Sequence, residues 1–246
     1  MSRWPYPRIV AHRGGGALAP ENTLGAIRLG ASMGFKGVEF DVMLAGDGTP
    51  VLIHDETLER TTNGRGEVAA TPYAEIAALD AGSWRGERWR GERVPTFEQA
   101  GLLCRELGLW ANVEIKPAKG HERATGEAVA RMARDLWRSA DLAPVLSSFA
   151  GDALAAARDA VPDLPRGALV GKVPHDWQRL VRELDCVALH CNYKHLDETH
   201  PALIHAAGYA VLVYTVNEPA DARRLLGWGV DCLVTDALER IGPDCE

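Results

Sequence analysis

The stretch Gly37-Val38-Glu39-Phe40-Asp41-Val42-Met43-Leu44-Ala45-Gly46-Asp47-Gly48-Thr49-Pro50-Val51-Leu52-Ile53-His54 decides the fold. Its two apolar runs, 37–44 and 51–54, are separated by only six residues. A parallel crossover needs a dozen or more, so the runs pair antiparallel, with Asp47-Gly48 in the turn. The run 51–54 therefore leaves the count of parallel strands. Outward from this stretch, short apolar runs at 9–12, 109–115, 143–148, 167–170, 186–190, 210–215 and 231–235 alternate with helical patterns, as parallel β/α units do. With 37–44 they number eight, the count that closes a β/α barrel. A helix is expected from about Asn22, with Leu24, Ile27 and Ala31 on one face and Gly34 past its end. Thr96-Phe97-Glu98-Gln99 reads as a capping box, and Gly108 closes that helix. Pro174 and Pro201 suit first-turn positions, and Gly208 suits a C-terminal cap. The expected architecture is α/β: a single (β/α)8 TIM-type barrel over residues 1–246, with 45–95 a small insertion between strand 2 and its helix. No internal repeat, low-complexity tract or linker divides the chain.

Length and composition agree. The chain has 246 residues, 46% hydrophobic and 25% charged, which excludes a largely disordered or collagen-like polymer. A barrel of this type takes roughly 250 residues. The net charge of -7 disfavours a nucleic-acid partner, which needs a basic stripe. It leaves room for an anionic ligand, because a metal ion inverts the local field. The longest apolar stretches, such as 209–216, are strand-sized, so no membrane span is expected. Met1-Ser2-Arg3-Trp4-Pro5-Tyr6-Pro7 lacks the apolar centre of a signal peptide. The five cysteines are odd in number and form no C-x-x-C, which reads as reduced thiols of a cytoplasmic protein.

The chemistry concentrates on two strands. Side chains alternate faces along a strand, so Glu39 and Asp41 share one face while Val38, Phe40 and Val42 share the other. In a barrel the apolar set packs on the helices and the carboxylates point inward, at the C-terminal end where barrel chemistry occurs. Ala111-Asn112-Val113-Glu114-Ile115-Lys116 repeats the device, with Asn112, Glu114 and Lys116 on one face. Three carboxylates then converge, and bare they would repel strongly. Hard oxygen ligands with neither Cys nor a His pair suit one divalent cation, Mg²⁺ or Ca²⁺. Surface carboxylates at strand ends are the plainer reading of any one residue. Two i,i+2 pairs in core strands weigh against it, because unpaired buried charge is costly.

His12 ends the first strand and Arg13 follows it; His54 ends the hairpin and precedes Asp55. A hairpin folded over the barrel mouth brings His54 opposite His12. Two histidines flanking a metal suit general base and general acid work, since imidazole titrates near neutrality. Arg13 and Lys116 add positive charge there, which together with a cation suits a phosphate.

His12-Arg13-Gly14, Pro20-Glu21-Asn22-Thr23, Glu39-Phe40-Asp41-Val42, Asp47-Gly48, His54-Asp55, Arg60-Thr61-Thr62, Gly66, Leu79-Asp80, Val94-Pro95-Thr96-Phe97, Glu114-Ile115-Lys116, Ser148-Phe149, Tyr214-Thr215-Val216-Asn217 and Thr235-Asp236 follow one another along the chain. In order and spacing this set resembles the glycerophosphodiester phosphodiesterases, most specifically in its first half. The resemblance implies a β/α barrel and metal-dependent hydrolysis of a glycerophosphodiester to an alcohol and sn-glycerol 3-phosphate. It implies Glu39, Asp41 and Glu114 as metal ligands, His12 as general base and His54 as general acid. Arg13, Lys116, Phe149 and Tyr214 are then the expected substrate- and phosphate-facing residues. The short insertion resembles that of the small bacterial cytoplasmic members. The family's usual Trp before Thr-Val-Asn is Tyr214 here, its usual Gly after Asp231 is Cys232, and Gly14-Gly15-Gly16 is expected to loosen the first loop.

Three other readings compete. Gly14-Gly15-Gly16-Ala17-Leu18-Ala19 fits a dinucleotide fingerprint, but Pro20-Glu21-Asn22 puts the helix start too late. A non-catalytic phosphate-binding barrel would be expected to lack a histidine or a carboxylate of the set. A lysophospholipase D-like activity on lysophospholipids needs an apolar channel, which Trp84 and Trp89 could line. His190, His195, His200 and His205 recur every five residues, off helical spacing, and only His190, at a strand end, is expected near the site.

Overall fold

The computed structural model describes residues 4–245; the first three residues of the Met1–Pro7 stretch and Glu246 lie outside it. Nine strands form: β1 Ile9–Ala11, β2 Gly37–Leu44, β3 Pro50–Leu52, β4 Trp110–Ile115, β5 Val145–Ser148, β6 Arg166–Val170, β7 Ala188–Asn192, β8 Ala210–Tyr214 and β9 Cys232–Thr235. Eight are parallel and close into a barrel, since β1 pairs with both β9 and β2. The ninth, β3, pairs antiparallel with the end of β2, matching Val42 with Leu52 and Leu44 with Pro50. Helices α1 Leu24–Ser32, α2 Tyr73–Ile76, α3 Phe97–Glu106, α4 Glu122–Leu136, α5 Gly151–Ala160, α6 Trp177–Glu183, α7 His200–Ala206 and α8 Pro219–Gly227 lie between strands, with α2 inside the segment that joins β3 to α3. This is a TIM barrel. Among the described residues no helix is long and apolar enough to cross a membrane.

Local signals account for most boundaries. Thr96 and Gln99 close a reciprocal capping box on α3, and Gly108 turns out of it at φ +65°. Pro201 sits in the first turn of α7. Pro174 does not open α6: the helix starts at Trp177, whose amide donates to the Pro174 carbonyl in the turn before it. Helix α1 starts at Leu24 rather than Asn22, because Thr23 caps it by accepting from the Ala26 amide. Asn22 is freed for another task.

The outward faces of the strands pack on the helices. Val38, Phe40 and Val42 join Phe97 and Trp137 in one buried cluster, with the Phe40 and Phe97 rings 6.0 Å apart. Inside the barrel, Val10, Trp110, Val145, Leu212, Cys232 and Val234 fill the N-terminal end. Tyr6 stacks on Trp110 at 4.6 Å beneath them. Cys232, in place of a glycine, thus packs as a core residue. Residues 45–96 carry their own small core of Val51, Ile53, Leu58, Val68, Ile76 and Val94, which packs on Met43 at the end of β2.

Two buried polar residues belong to the scaffold. His190 is fully buried inside the barrel and lies mid-strand, not at the mouth; its ring occupies the space that Gly167 leaves open. Burial pushes its pKa down to about 3. Arg166, 2% exposed, donates to the carbonyls of Leu164, Pro162, Leu184 and Asp185 and pairs with the Asp185 carboxylate at 2.8 Å. It thereby gathers the loop ends at the N-terminal side of β6, the side that serves stability in such barrels.

Two outcomes follow for stability. Arg166→Ala leaves those buried carbonyls without a donor and should cost about 3–5 kcal/mol in urea unfolding. Activity per folded molecule should be unchanged, because the site lies at the opposite end. His190 is neutral when folded but takes up a proton when unfolded below its ordinary value of 6.5. Its contribution is therefore complete above that pH and declines as the pH falls toward 3, by about tenfold in the folding equilibrium per pH unit. His190→Gln should flatten the pH dependence of unfolding over this window.

Candidate active site

The first turn is built tightly. Gly16 has φ +54°, and a Cβ there would meet the Asp236 carbonyl oxygen. The Gly16 amide donates to His12 O, and the Ala17 amide to Asp236 O. The triple glycine therefore packs this loop against the end of β9 rather than loosening it. The helix that a dinucleotide fingerprint needs after Gly14-Gly15-Gly16 is absent here; only a short 3₁₀ turn, Gly16–Leu18, follows. Arg13 and Asn22 both adopt left-handed backbone, at φ 50° and 59°. That region is uncommon for residues other than glycine, asparagine and aspartate. The strained turn aims both side chains at the carboxylates.

Register places those carboxylates together. In the β2–β4 pairing Glu39 lies beside Asn112 and Asp41 beside Glu114, so the three acidic side chains converge inside the barrel mouth. Their ligand oxygens lie within 4.8 Å of one another, and Glu39 and Asp41 are 4% and 2% exposed. Asn22 grips Asp41 at two points, its Nδ2 donating to Oδ2 at 2.8 Å and its Oδ1 accepting from the Asp41 amide at 3.1 Å. The Arg13 amide donates to Glu39 Oε2 at 3.0 Å, and its guanidinium Nε lies 3.5 Å from Asp41. Lys116 Nζ donates to Glu114 Oε1 at 3.1 Å. Burial raises the pKa of Glu39 and of Glu114, and the neighbouring Asp41 charge raises both further. Burial opposes ionisation of Asp41 too, but Arg13, His54 and Asn22 outweigh it and hold that carboxyl low. Three oxygen donors with this mutual repulsion fit a hard divalent cation and no soft one.

Two histidines flank the cluster in like manner. His12 Nδ1 lies 2.6 Å from Asp236 Oδ1, which fixes the proton on Nδ1 and leaves Nε2 free, 3.7 Å from Glu39. Burial lowers the His12 pKa, but the Asp236 hydrogen bond and the Glu39 charge more than reverse this, and the net shift is upward. Asn217 orients Asp236 in turn, donating from Nδ2 at 3.3 Å and accepting from its amide at 2.8 Å. His54 Nδ1 lies 2.7 Å from Asp55 Oδ1, and its Nε2 faces Lys116 Nζ at 3.0 Å.

The aromatic pair assembles beside them. Phe149 is 53% exposed, meets Tyr214 edge-to-face at 6.0 Å, and carries Lys116 Nζ 5.7 Å above its ring. Tyr214 donates its hydroxyl to Val170 O at 2.8 Å, a polar anchor built into this wall. An open cavity of about 330 Å³ runs from His12, Arg13, Glu21 and Asp236 to Trp84 and Arg85 of the 45–96 segment. A larger one, about 530 Å³, lies beside Tyr6 and Trp110 at the other end of the barrel, far from every residue of this cluster.

The nine residues given a site role from sequence thus stand around one mouth, whereas His190, also expected near it, lies inside the barrel. Sequence reasoning gave no role to Asp236, Asn217, Asn22, Glu21, Asp55 or Arg60. A polar residue just past a barrel strand was the available signal for Asp236, and the adjacency of His54 and Asp55 for the latter. Nothing local marks Asn22, which reads as a helix start.

The comparisons with known proteins give the family. Residues 12–240 match the profile of the glycerophosphoryl diester phosphodiesterase family. A glycerophosphodiester phosphodiesterase of Caldanaerobacter subterraneus is 32% identical over 95% of each chain. A phosphodiesterase of Oleispira antarctica, solved in complex with the product sn-glycerol-3-phosphate, superposes with a TM-score of 0.91 at 40% identity over 94% of each chain. The glycerophosphodiester phosphodiesterase of Agrobacterium tumefaciens superposes at 0.80 with 27% identity, covering 97% of this chain and 98% of its own. A barrel whose mouth gathers three carboxylates between two aspartate-bound histidines, matched over nearly its whole length by these relatives, belongs to the glycerophosphodiester phosphodiesterase family.

Proposed function

We propose that this protein hydrolyses glycerophosphodiesters to an alcohol and sn-glycerol 3-phosphate, with His12 as general base, His54 as general acid and one divalent cation, Mg²⁺ or Ca²⁺, held by Glu39, Asp41 and Glu114. One observation carries the reading: the buried carboxylate cluster is flanked by two imidazoles, each tied through Nδ1 to an aspartate. The product-bound relative supports the substrate class. When bound, the cation supplies Lewis-acid polarisation of the phosphoryl oxygens.

The chain's own residues do the rest. His12 Nε2 takes the proton of the attacking oxygen, whether that belongs to water or to the glycerol 2-hydroxyl, and Asp236 stabilises the imidazolium that forms. Arg13 and Lys116 offset charge on the phosphoryl oxygens, where positioning and electrostatics dominate. Lys116 faces His54 Nε2 at 3.0 Å, and two cations cannot share that contact comfortably. A phosphate entering the mouth draws the ammonium toward its own oxygens, and Nε2, released from that contact, takes up a proton from solvent and passes it to the departing alcohol. Phe149 and Tyr214 form the substrate wall. Arg13, Glu21, Arg85 and Asp236 make the His12 side of the cavity polar, which favours a small head group over the acyl chain of a lysophospholipid. The five free cysteines, four of them buried, support a reducing, cytoplasmic setting.

Metal-stripped protein should release no sn-glycerol 3-phosphate from glycerophosphocholine. Added Mg²⁺ or Ca²⁺ should restore release in the parent chain and not in Glu114→Ala; metal-independent turnover would overturn the reading. His12→Ala should lower kcat by about 10²–10⁴-fold, the range of one lost proton transfer. Asp236→Asn, which misorients the ring but keeps it, should cost about 10–100-fold. Steady-state rates on protein with an unchanged unfolding midpoint test both.

A further inference from the structure

We infer that Arg60, in the segment between β3 and α3, is a positioning residue that holds His54 in its proton-donating orientation by locking Asp55 to the first barrel loop through Glu21. Its guanidinium makes four hydrogen bonds to two carboxylates. Nε and Nη2 reach Asp55 at 2.5 and 2.9 Å, and Nη1 and Nη2 reach Glu21 at 2.7 and 2.9 Å. Both pairings are forks, the geometry that restricts a carboxylate in angle as well as distance. Asp55 Oδ1, one of the gripped oxygens, also accepts from His54 Nδ1. Glu21 Oε1 likewise accepts from Arg13 Nη1. Arg60 therefore sits at the middle of a chain from Arg13 through Glu21 and Asp55 to His54. It bridges 39 residues of sequence without touching the carboxylate cluster itself.

The turn that carries Arg60 is anchored on both sides. Leu58 is buried, Thr62 bonds back to the Leu58 carbonyl, and Asn63 exchanges hydrogen bonds with Asp80. The guanidinium is therefore presented from fixed backbone, while His54 sits just past the end of β3, its ring held through the side chains of Asp55 and Lys116. Arg60, first, and then His54 keep Asp55 well below the usual carboxylate range, so Asp55 remains an acceptor at all working pH. As a half-exposed ion pair the cluster adds little to stability, which points to orientation as its use.

The inference rests on His54 acting as general acid, and the leaving group separates the two. Choline needs a proton to depart; p-nitrophenolate does not. In Arg60→Gln, kcat on glycerophosphocholine should fall about 10–100-fold, the effect usual for an outer-layer partner. The loss on the p-nitrophenyl diester of glycerol 3-phosphate should be at least about tenfold smaller. Arg60→Lys keeps the charge without the fork and should recover only part of the loss. His54→Ala, run on the same two substrates, is the reference. Equal losses on both substrates in Arg60→Gln, with a large difference in His54→Ala, would overturn the role of Arg60 alone. Equal losses in His54→Ala would overturn the general-acid reading and this inference with it.

Discussion

Glu39 and Asp41 are buried and Glu114 nearly so, with their oxygens inside 4.8 Å, and most of the mouth exists to make that tolerable. Two unit charges at such a distance repel by roughly 3–4 kcal/mol at an effective dielectric near 20. The barrel cannot move them apart, because β2 and β4 lock Asp41 beside Glu114 by register. The compensation comes from outside the two strands. Asn22 leaves its helix to hold Asp41 at two points, Arg13 turns back through a left-handed backbone, and Lys116 lies against Glu114. A hard divalent cation would offset the charge that these groups leave. Three such carboxylates repel one another when bare and are a donor set suited to a hard cation.

The two histidines solve one problem by different structural routes. Each must present Nε2 to the mouth, and each does so by committing Nδ1 to an aspartate. His12 takes its partner from the far end of the chain, where β9 closes the barrel against β1. Closure of the sheet is thus also the step that orients this ring. His54 takes its neighbour Asp55, which is half-buried and is held by Arg60, itself paired with Glu21. One ring is positioned by the sheet, the other by a charge network on its rim.

The barrel divides its labour by end. The N-terminal side is sealed by Trp110 and Tyr6 and stitched by Arg166, all with satisfied or apolar surroundings. The C-terminal side carries the left-handed turn at Arg13, the converging charges and the cavity beside His12. Strain and charge at one end are sustained by the apolar packing of the other and of the helices around it.

Sequence by itself determined the frame. The six-residue gap after Leu44 forbids a parallel crossover, so β3 is antiparallel and the remaining eight strands form the barrel. The two-residue period of a strand puts Glu39 with Asp41, and Asn112 with Glu114, on the inward face. These are local properties of distance and alternation, and no tertiary knowledge is needed to read them. Tertiary structure alone decided the partners. Asn22 looks like a helix start, yet Thr23 is the better cap and releases it to Asp41. His190 looks like a strand end near the site, yet β7 runs two residues further and leaves it inside the barrel. Asp236 meets His12 across 224 residues, and Arg60 meets Glu21 across 39. Such contacts depend on how the sheet closes and where the insertion folds back, which no periodicity along the chain encodes.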